Sequence, residues 1–303
     1  MLFNVNNSYF YYDENNYSCT SDYFNLIVDL IKEFLIKNHL ININISLCNN
    51  NYHFYNNNKC IKININYEHT IVKKNGRGTT IETPKGILLD ENNENYLVRI
   101  DNYHELNISD IIIDYSKPNI FNIENCNLYS NFSKKNIYIF PSIYNTFFLK
   151  DNRNIPLLTT FININESRRE LLINKLLNNH IPHINVNNCF EKNNLQNFYK
   201  NTKILVNIHQ TEHHNTFEEL RVLPALQCGV LCICEISPLK ELIPYHDYII
   251  WESYDNLLDK IKEVIDNYDY FFDLIFYKEK NLKLSDFNNL NYYTLKNKII
   301  SQL

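Results

Sequence analysis

Three histidines (His209, His213, His214), two threonines (Thr211, Thr216), two glutamates (Glu218, Glu219) and Arg221 crowd into one part of the stretch Lys203–Glu235, KILVNIHQTEHHNTFEELRVLPALQCGVLCICE. Imidazole, hydroxyl and guanidinium groups are the donors that hold anions. Lys203–Ile208 is a short apolar, β-rich run, as a buried parallel strand is. Asn215 and Thr216 offer N-caps with Glu218 and Glu219 three residues on, so either pairing makes a capping box. Phe217, Leu220, Leu223 and Leu226 recur at helical spacing, Gly229 supplies a left-handed stop, and Val230–Cys234 is the next buried strand. A polar loop between a strand's carboxyl end and a helix's amino end is where open α/β sheets bind ligands, phosphates above all. The stretch predicts a nucleotide-type site.

The glycines limit how such a site can be built. Average usage of about 7% would give roughly twenty in a chain this long, and this one has four: Gly76, Gly78, Gly86 and Gly229. Neither GxGxxG nor a Walker A loop can be written with them. A diphosphate must therefore be held by a helix end and side chains. The same loop also spells HxxEH (His209-Gln210-Thr211-Glu212-His213), the inverted zinc-protease motif. That chemistry needs both histidines on one helical face, and here His209 closes a β-rich run, so the zinc hydrolase is discounted.

Further candidates lie at other strand ends. Arg168 and Arg169 open a helix after the strand Leu157–Phe161, where an arginine fork can reach phosphates. Glu68 and His69 follow the strand Lys62–Asn66, and either can orient or deprotonate a hydroxyl; the plain alternative is a loop ion pair. Asp114 and Ser116 end another strand, to cap the helix that Pro118 starts or to bind an acceptor. The basic loop Lys73–Thr80 is a lid, a recognition loop or an insertion.

Length and composition set the frame. The 303 residues suit two domains, 1–145 and 146–303, with Pro141–Pro156 as the connection. Both halves alternate strands and helices, which predicts an α/β protein of two Rossmann-like domains facing a cleft. The Asn/Ile/Lys/Tyr bias reads as an AT-rich genome's, with asparagine-rich patches on surface loops. A net charge of −5 argues against nucleic-acid binding by bulk electrostatics. Eight cysteines without CxxC spacing read as reduced thiols of a cytoplasmic protein. No signal-peptide pattern and no transmembrane run is visible.

The second half resembles the donor-binding domain of GT-B glycosyltransferases. HHNTFEELRVLPALQCGVLCICE matches the family's loop, helix, glycine and buried strand, and SPLKELIPYHDYIIWESYDNLLDKIKEVI matches its closing strand and helix. NYEHT (Asn66–Thr70) and DYSKPN (Asp114–Asn119) resemble a less-studied branch, from viral or AT-rich genomes. The resemblance implies a metal-independent, hexosyltransferase-like enzyme without a cofactor. It would move a sugar from a nucleotide-sugar to a glycan, lipid or protein acceptor. For such an enzyme the positions read above make Glu68 and His69 the catalytic candidates, Asp114 and Ser116 the acceptor-side ones, and Arg168, Arg169, His209, Thr211, His213, His214, Thr216, Glu218, Glu219 and Arg221 the donor-binding ones. One departure stands out: Pro224 occupies the position of the family's ribose-binding glutamate, so that work passes to Glu218 or Glu219, and Pro224 should kink or split its helix. The alternative reading is an inactive relative that binds a glycan or nucleotide as an interaction module.

Overall fold

The computed structural model describes residues 1–13, 20–39, 41–70, 72–74, 85–89, 93, 95–146, 148–161, 167–187, 192–209, 216–277 and 283–303, without the side chains of 72–74, 167, 192 and 193. The chain divides into two compact units, Met1–Pro141 with Phe287–Leu303, and Ser142–Asp286. Among the described residues no helix is long and apolar enough to cross a membrane.

The first unit opens with a hairpin that the sequence reading left unassigned. Strand β1 (Leu2–Val5) pairs antiparallel with β2 (Ser8–Tyr12), and Asn6 takes the left-handed conformation (φ 54) that asparagine tolerates in tight turns. Helix α1 (Ser21–Lys37) buries Tyr23, Phe24, Ile27, Ile31 and Phe34 at helical spacing. It leads to β3 (Asn44–Leu47) and β4 (Cys60–Asn66). Three strands then form a separate antiparallel sheet in the order β5-β7-β6: β5 (Val72–Lys74), β6 (Lys85–Leu89) and β7 (Asn95–Arg99). Gly86 lies in β6. A Cβ there would stand 1.8 Å from Cys126 Sγ, so only glycine lets this sheet close on the core of Ile123, Cys126, Tyr129 and Phe132.

Helix α2 (Tyr103–Asn107), β8 (Ile111–Asp114), α3 (Lys117–Glu124) and β9 (Asn136–Tyr138) follow. The main sheet of this unit runs β1-β2-β3-β4-β8-β9, parallel from β2 onward. Its central strands are isoleucine runs (Ile61, Ile63, Ile65; Ile111, Ile112, Ile113) with 4% exposure at most. Each such side chain contributes about 1.5–3 kcal/mol by leaving water.

The second unit carries five parallel strands with a reversal in their order. They are β10 (Ile155–Thr159), β11 (Ile184–Asn185), β12 (Thr202–Asn207), β13 (Leu231–Glu235) and β14 (Ile249–Glu252), arranged β11-β10-β12-β13-β14. The crossovers are α4 (Ser167–Asn178), α5 (Lys192–Asn201) and α6 (Glu219–Gln227), and α7 (Leu257–Asp266) and α8 (Tyr268–Phe272) follow β14. Between β13 and β14 the chain makes a 3-10 turn at Lys240–Leu242. Helix α6 starts late. Phe217 is buried with its ring 4.9 Å from that of Trp251, which draws the chain inward. Glu218 is thus the N-cap, without a side-chain cap bond, and the expected capping box at Thr216 does not open the helix; Asn215 lies outside the described residues. Pro224 sits inside one helical element rather than splitting it, because Val222–Gln227 are packed and buried around it. Gly229 (φ 72) ends α6, with its N–H on Leu226 O (2.9 Å) and that of Val230 on Ala225 O (3.1 Å), the double bond of a Schellman motif. In the connecting segment, Arg153 is a buried clamp. It donates to the carbonyls of Leu149 (2.7 Å), Tyr199 (3.0 Å), Thr202 (2.6 Å) and Cys228 (2.6 Å), tying β12's start to α6's end.

The chain then returns to the first unit. Helix α9 (Phe287–Ile300) packs on α1 and β9, so residues 287–303 group with the first unit. The ring of Phe287 stacks on that of Phe140 at 4.1 Å. Buried Asn291 meets the Phe140 backbone twice, accepting its N–H and donating to its C=O, both at 2.8 Å. Asn291→Ala would leave two buried backbone groups without partners, at about 1–3 kcal/mol each. Urea unfolding should show a loss of roughly 2–4 kcal/mol for that variant, and an unchanged midpoint would mean that α9 does not hold the end of β9.

Candidate functional site

In the second unit the site is built at the carboxyl edge of the sheet. The strand order turns back between β10 and β12, the topological position at which open α/β sheets bind ligands. Asn185, ending β11, closes one side: its Oδ1 accepts from Thr159 Oγ1 (2.9 Å) and Phe161 N (3.0 Å), and its Nδ2 donates to Phe161 O (3.2 Å). The guanidinium of Arg169, nearly buried, lies over the Phe161 ring at 5.1 Å. Asn207, the last residue of β12, accepts from Arg221 Nη1 at 3.0 Å. Arg221 is half-buried, and this single side-chain bond among the described residues uses one of its five donors.

Glu235, ending β13, is the residue that the sequence reading missed. Its Oε2 accepts the His209 backbone N–H (3.0 Å), and its Oε1 pairs with Arg168 Nη2. Arg168 also lies over the Tyr254 ring (4.4 Å), whose hydroxyl donates to the Arg168 carbonyl (2.8 Å). A charged residue closing an apolar strand was the available signal. One arm of the Arg168 fork is therefore engaged by Glu235 within the protein.

Glu219 corrects a second expectation. It is fully buried, and Tyr245 Oη donates to its Oε2 at 2.9 Å. Burial, with the Glu219 carboxylate beside it, pushes the Tyr245 hydroxyl well up, so it stays a donor. A side chain turned inward in this way supports α6 and does not face a ribose; Glu218, half-buried at the N-cap, is the glutamate nearer solvent. Thr216 and His209 are also buried, at 2% and 8% exposure. Thr211, His213 and His214 lie outside the described residues, as do Gln210, Glu212 and the loop 75–80. Among the described residues no group of His, Cys, Asp or Glu could hold a metal ion.

In the first unit the ends of β4 and β8 form a second polar cluster. Asp114 is buried and accepts three N–H bonds: from Asn66 Nδ2 (2.7 Å), Ser116 N (2.8 Å) and Asn119 Nδ2 (3.2 Å). Ser116, also buried, caps α3 by accepting from Asn119 N (3.4 Å). Both side chains are buried and anchor the loop, Ser116 as the cap that the sequence offered as the plain alternative to an acceptor role. His69 is half-buried with its Nδ1 3.0 Å from Tyr115 Oη, and Glu68 is exposed.

Burial raises Asp114 from an ordinary 3.8 to about 7, against the lowering pull of its three donors and of His69. Between those two values the folded protein holds a proton that the unfolded chain has released. Stability from this group therefore falls as pH rises from about 4 to about 7 and is flat outside that window. Its total is of the order of a few kcal/mol. Asp114→Asn removes the titration, and the Asn66 amide can turn to keep the bond. The stability difference between wild type and Asp114→Asn, measured by urea unfolding, should change steadily across that window. A constant difference would place the titration of Asp114 elsewhere.

No family model matches the chain. Uncharacterized protein R358 of Acanthamoeba polyphaga mimivirus is 28% identical over 202 residues, covering 62% of this chain and 68% of that protein. Among solved structures, an alpha1,3-fucosyltransferase with GDP-fucose has a TM-score of 0.42 at 11% identity, over 83% of this chain and 77% of its own. A second alpha1,3-fucosyltransferase structure has 0.40 at 13%, over 86% and 76%. A glycosyltransferase from Rickettsia africae ESF-5 has 0.36 at 10%, over 96% and 79%. The functional reading rests on the chain's own residues.

Proposed function

We propose that the chain is a glycosyltransferase of GT-B type that takes its sugar from a nucleotide-sugar. One observation carries the reading: at the carboxyl edge of a parallel sheet whose strand order reverses, Asn207 holds the half-exposed guanidinium of Arg221 beside the start of α6. A helix start and a fixed arginine at that edge are what a diphosphate needs when no glycine-rich loop is available. Arg169 and His209 shape the floor, and Glu218 is placed to accept from a ribose hydroxyl. In the first unit, Glu68 and His69 stand at the end of β4, the place for a group that activates an acceptor hydroxyl. The charge on the departing diphosphate falls to side chains and helix ends, without a bound metal.

A second reading has its own support. Glu219 and Arg168, assigned above to the donor, each make a bond inside the protein, to Tyr245 and to Glu235. An inactive relative that still binds nucleotide would look like this, and product analysis with a bound donor separates the two.

Losing a charge-assisted bond costs about 1.5–3 kcal/mol. Arg221→Ala should therefore weaken nucleoside diphosphate binding roughly ten- to a hundred-fold in titration calorimetry. The exposed control Lys283→Ala should leave affinity unchanged, as should a chelator. Equal affinity in wild type and Arg221→Ala would place the site elsewhere; loss of binding on chelation would replace the metal-independent reading.

A further inference from the structure

Two side chains outside the expected set converge on His69. Tyr115, the residue after Asp114, is buried at 1% exposure, and its hydroxyl lies 3.0 Å from His69 Nδ1. Its ring is held edge-on by Tyr23 (6.4 Å, 82°) and meets the His69 ring edge-on in turn (5.9 Å, 76°). Tyr23 is itself fixed, donating its hydroxyl to Ile139 O at 2.8 Å. Asn119 works on the backbone of the same turn. Its Oδ1 accepts the Thr70 N–H (2.8 Å), its Nδ2 donates to Glu68 O (3.2 Å), and the same Nδ2 reaches Asp114 Oδ1 (3.2 Å). The peptide groups on both sides of His69 are thus tied to the first turn of α3, and the ring is tied to the end of β8.

We propose that Tyr115 and Asn119 are positioning residues that hold His69 with its proton on Nδ1, making Nε2 the nitrogen that takes up a proton from an acceptor hydroxyl. This rests on the glycosyl-transfer reading above. In that step the hydroxyl oxygen bonds to the sugar's anomeric carbon, and the hydroxyl proton passes to Nε2. The bond from that carbon to the diphosphate oxygen breaks, and its electron pair leaves with the diphosphate. A neutral imidazole has one N–H and one lone pair, so whichever bond Nδ1 makes decides what Nε2 can do. A phenol oxygen can accept as well as donate. With Tyr115 accepting from Nδ1–H, Nε2 is a base; with Tyr115 donating to Nδ1, Nε2 would carry the proton and could not be. Charged and titratable neighbours among the described residues include Asp114 and Tyr115, from β8 and the turn after it, and Glu68 on the same turn.

The tautomer can be read without any substrate. Full-length protein labelled with 15N-histidine, one of ten histidines being assigned to position 69 by His69→Gln, should show neutral His69 with Nδ1 protonated. In Tyr115→Phe the ratio of that tautomer to the other should fall roughly 2- to 10-fold, the equilibrium weight of one hydrogen bond. Asn119→Ala should lose hydrogen-exchange protection at the Thr70 amide. An Nε2-protonated ring in the wild type overturns the proposal even if Tyr115→Phe does not fold. So does an unchanged ratio in folded Tyr115→Phe, and unchanged Thr70 protection removes Asn119 from it. These results stand apart from nucleotide calorimetry: loss of donor binding with the tautomer as stated would sink the transferase reading and leave the geometry intact.

Discussion

A parallel strand buried on both faces must finish in polar groups that are themselves satisfied, and the candidate sites of both units follow from how this chain does it. Where β4 and β8 end, Asn66 and Asp114 meet each other. Where β10, β11, β12 and β13 end, Asn185, Asn207 and Glu235 take up the backbone and side-chain groups of the departing loops. Each of these residues costs desolvation, and each recovers it by fixing a neighbour. What reaches the surface afterwards is what the closing residues leave in place: Glu68 and His69 in one unit, Glu218 and Arg221 in the other.

The two units solve the same problem with opposite electrostatics. Asp114 has no cation in direct contact among its hydrogen-bond partners, so burial outweighs its three N–H donors and moves its titration toward neutrality. Glu235 is paired with Arg168, both about one-eighth exposed, and its other oxygen accepts the His209 backbone N–H. Breaking one side of such a pair strands the other charge, which makes the pair a stringent anchor although its net contribution is modest.

Much of the frame was legible in the sequence, because isoleucine runs, the Gly229 stop and the strand-loop-helix order report on backbone geometry. The buried asparagines were not. In a chain this rich in asparagine, the composition hides Asn66, Asn119, Asn207 and Asn291 among residues that are plain surface, although all four are at most 4% exposed. The β1–β2 hairpin escaped for the same reason, its turn being one more Asn-Asn pair. The register of α6 failed on a tertiary contact: Phe217 against Trp251 sets where the helix can begin, and no local capping pattern contains that information.

That late start also explains which glutamate is left for a ligand. With Glu219 as the first helical residue, its side chain turns under α6 toward Tyr245, while Glu218 remains outside the helix as its cap. Arg221, two positions on, cannot share Glu219's face and emerges beside β12 instead, where Asn207 catches it. The displacement of a carboxylate from the Pro224 position does not by itself move that function to Glu219. Helical geometry sends Glu219 inward and leaves the cap residue and the arginine at the edge of the sheet, which is why the donor reading stands on Glu218 and Arg221.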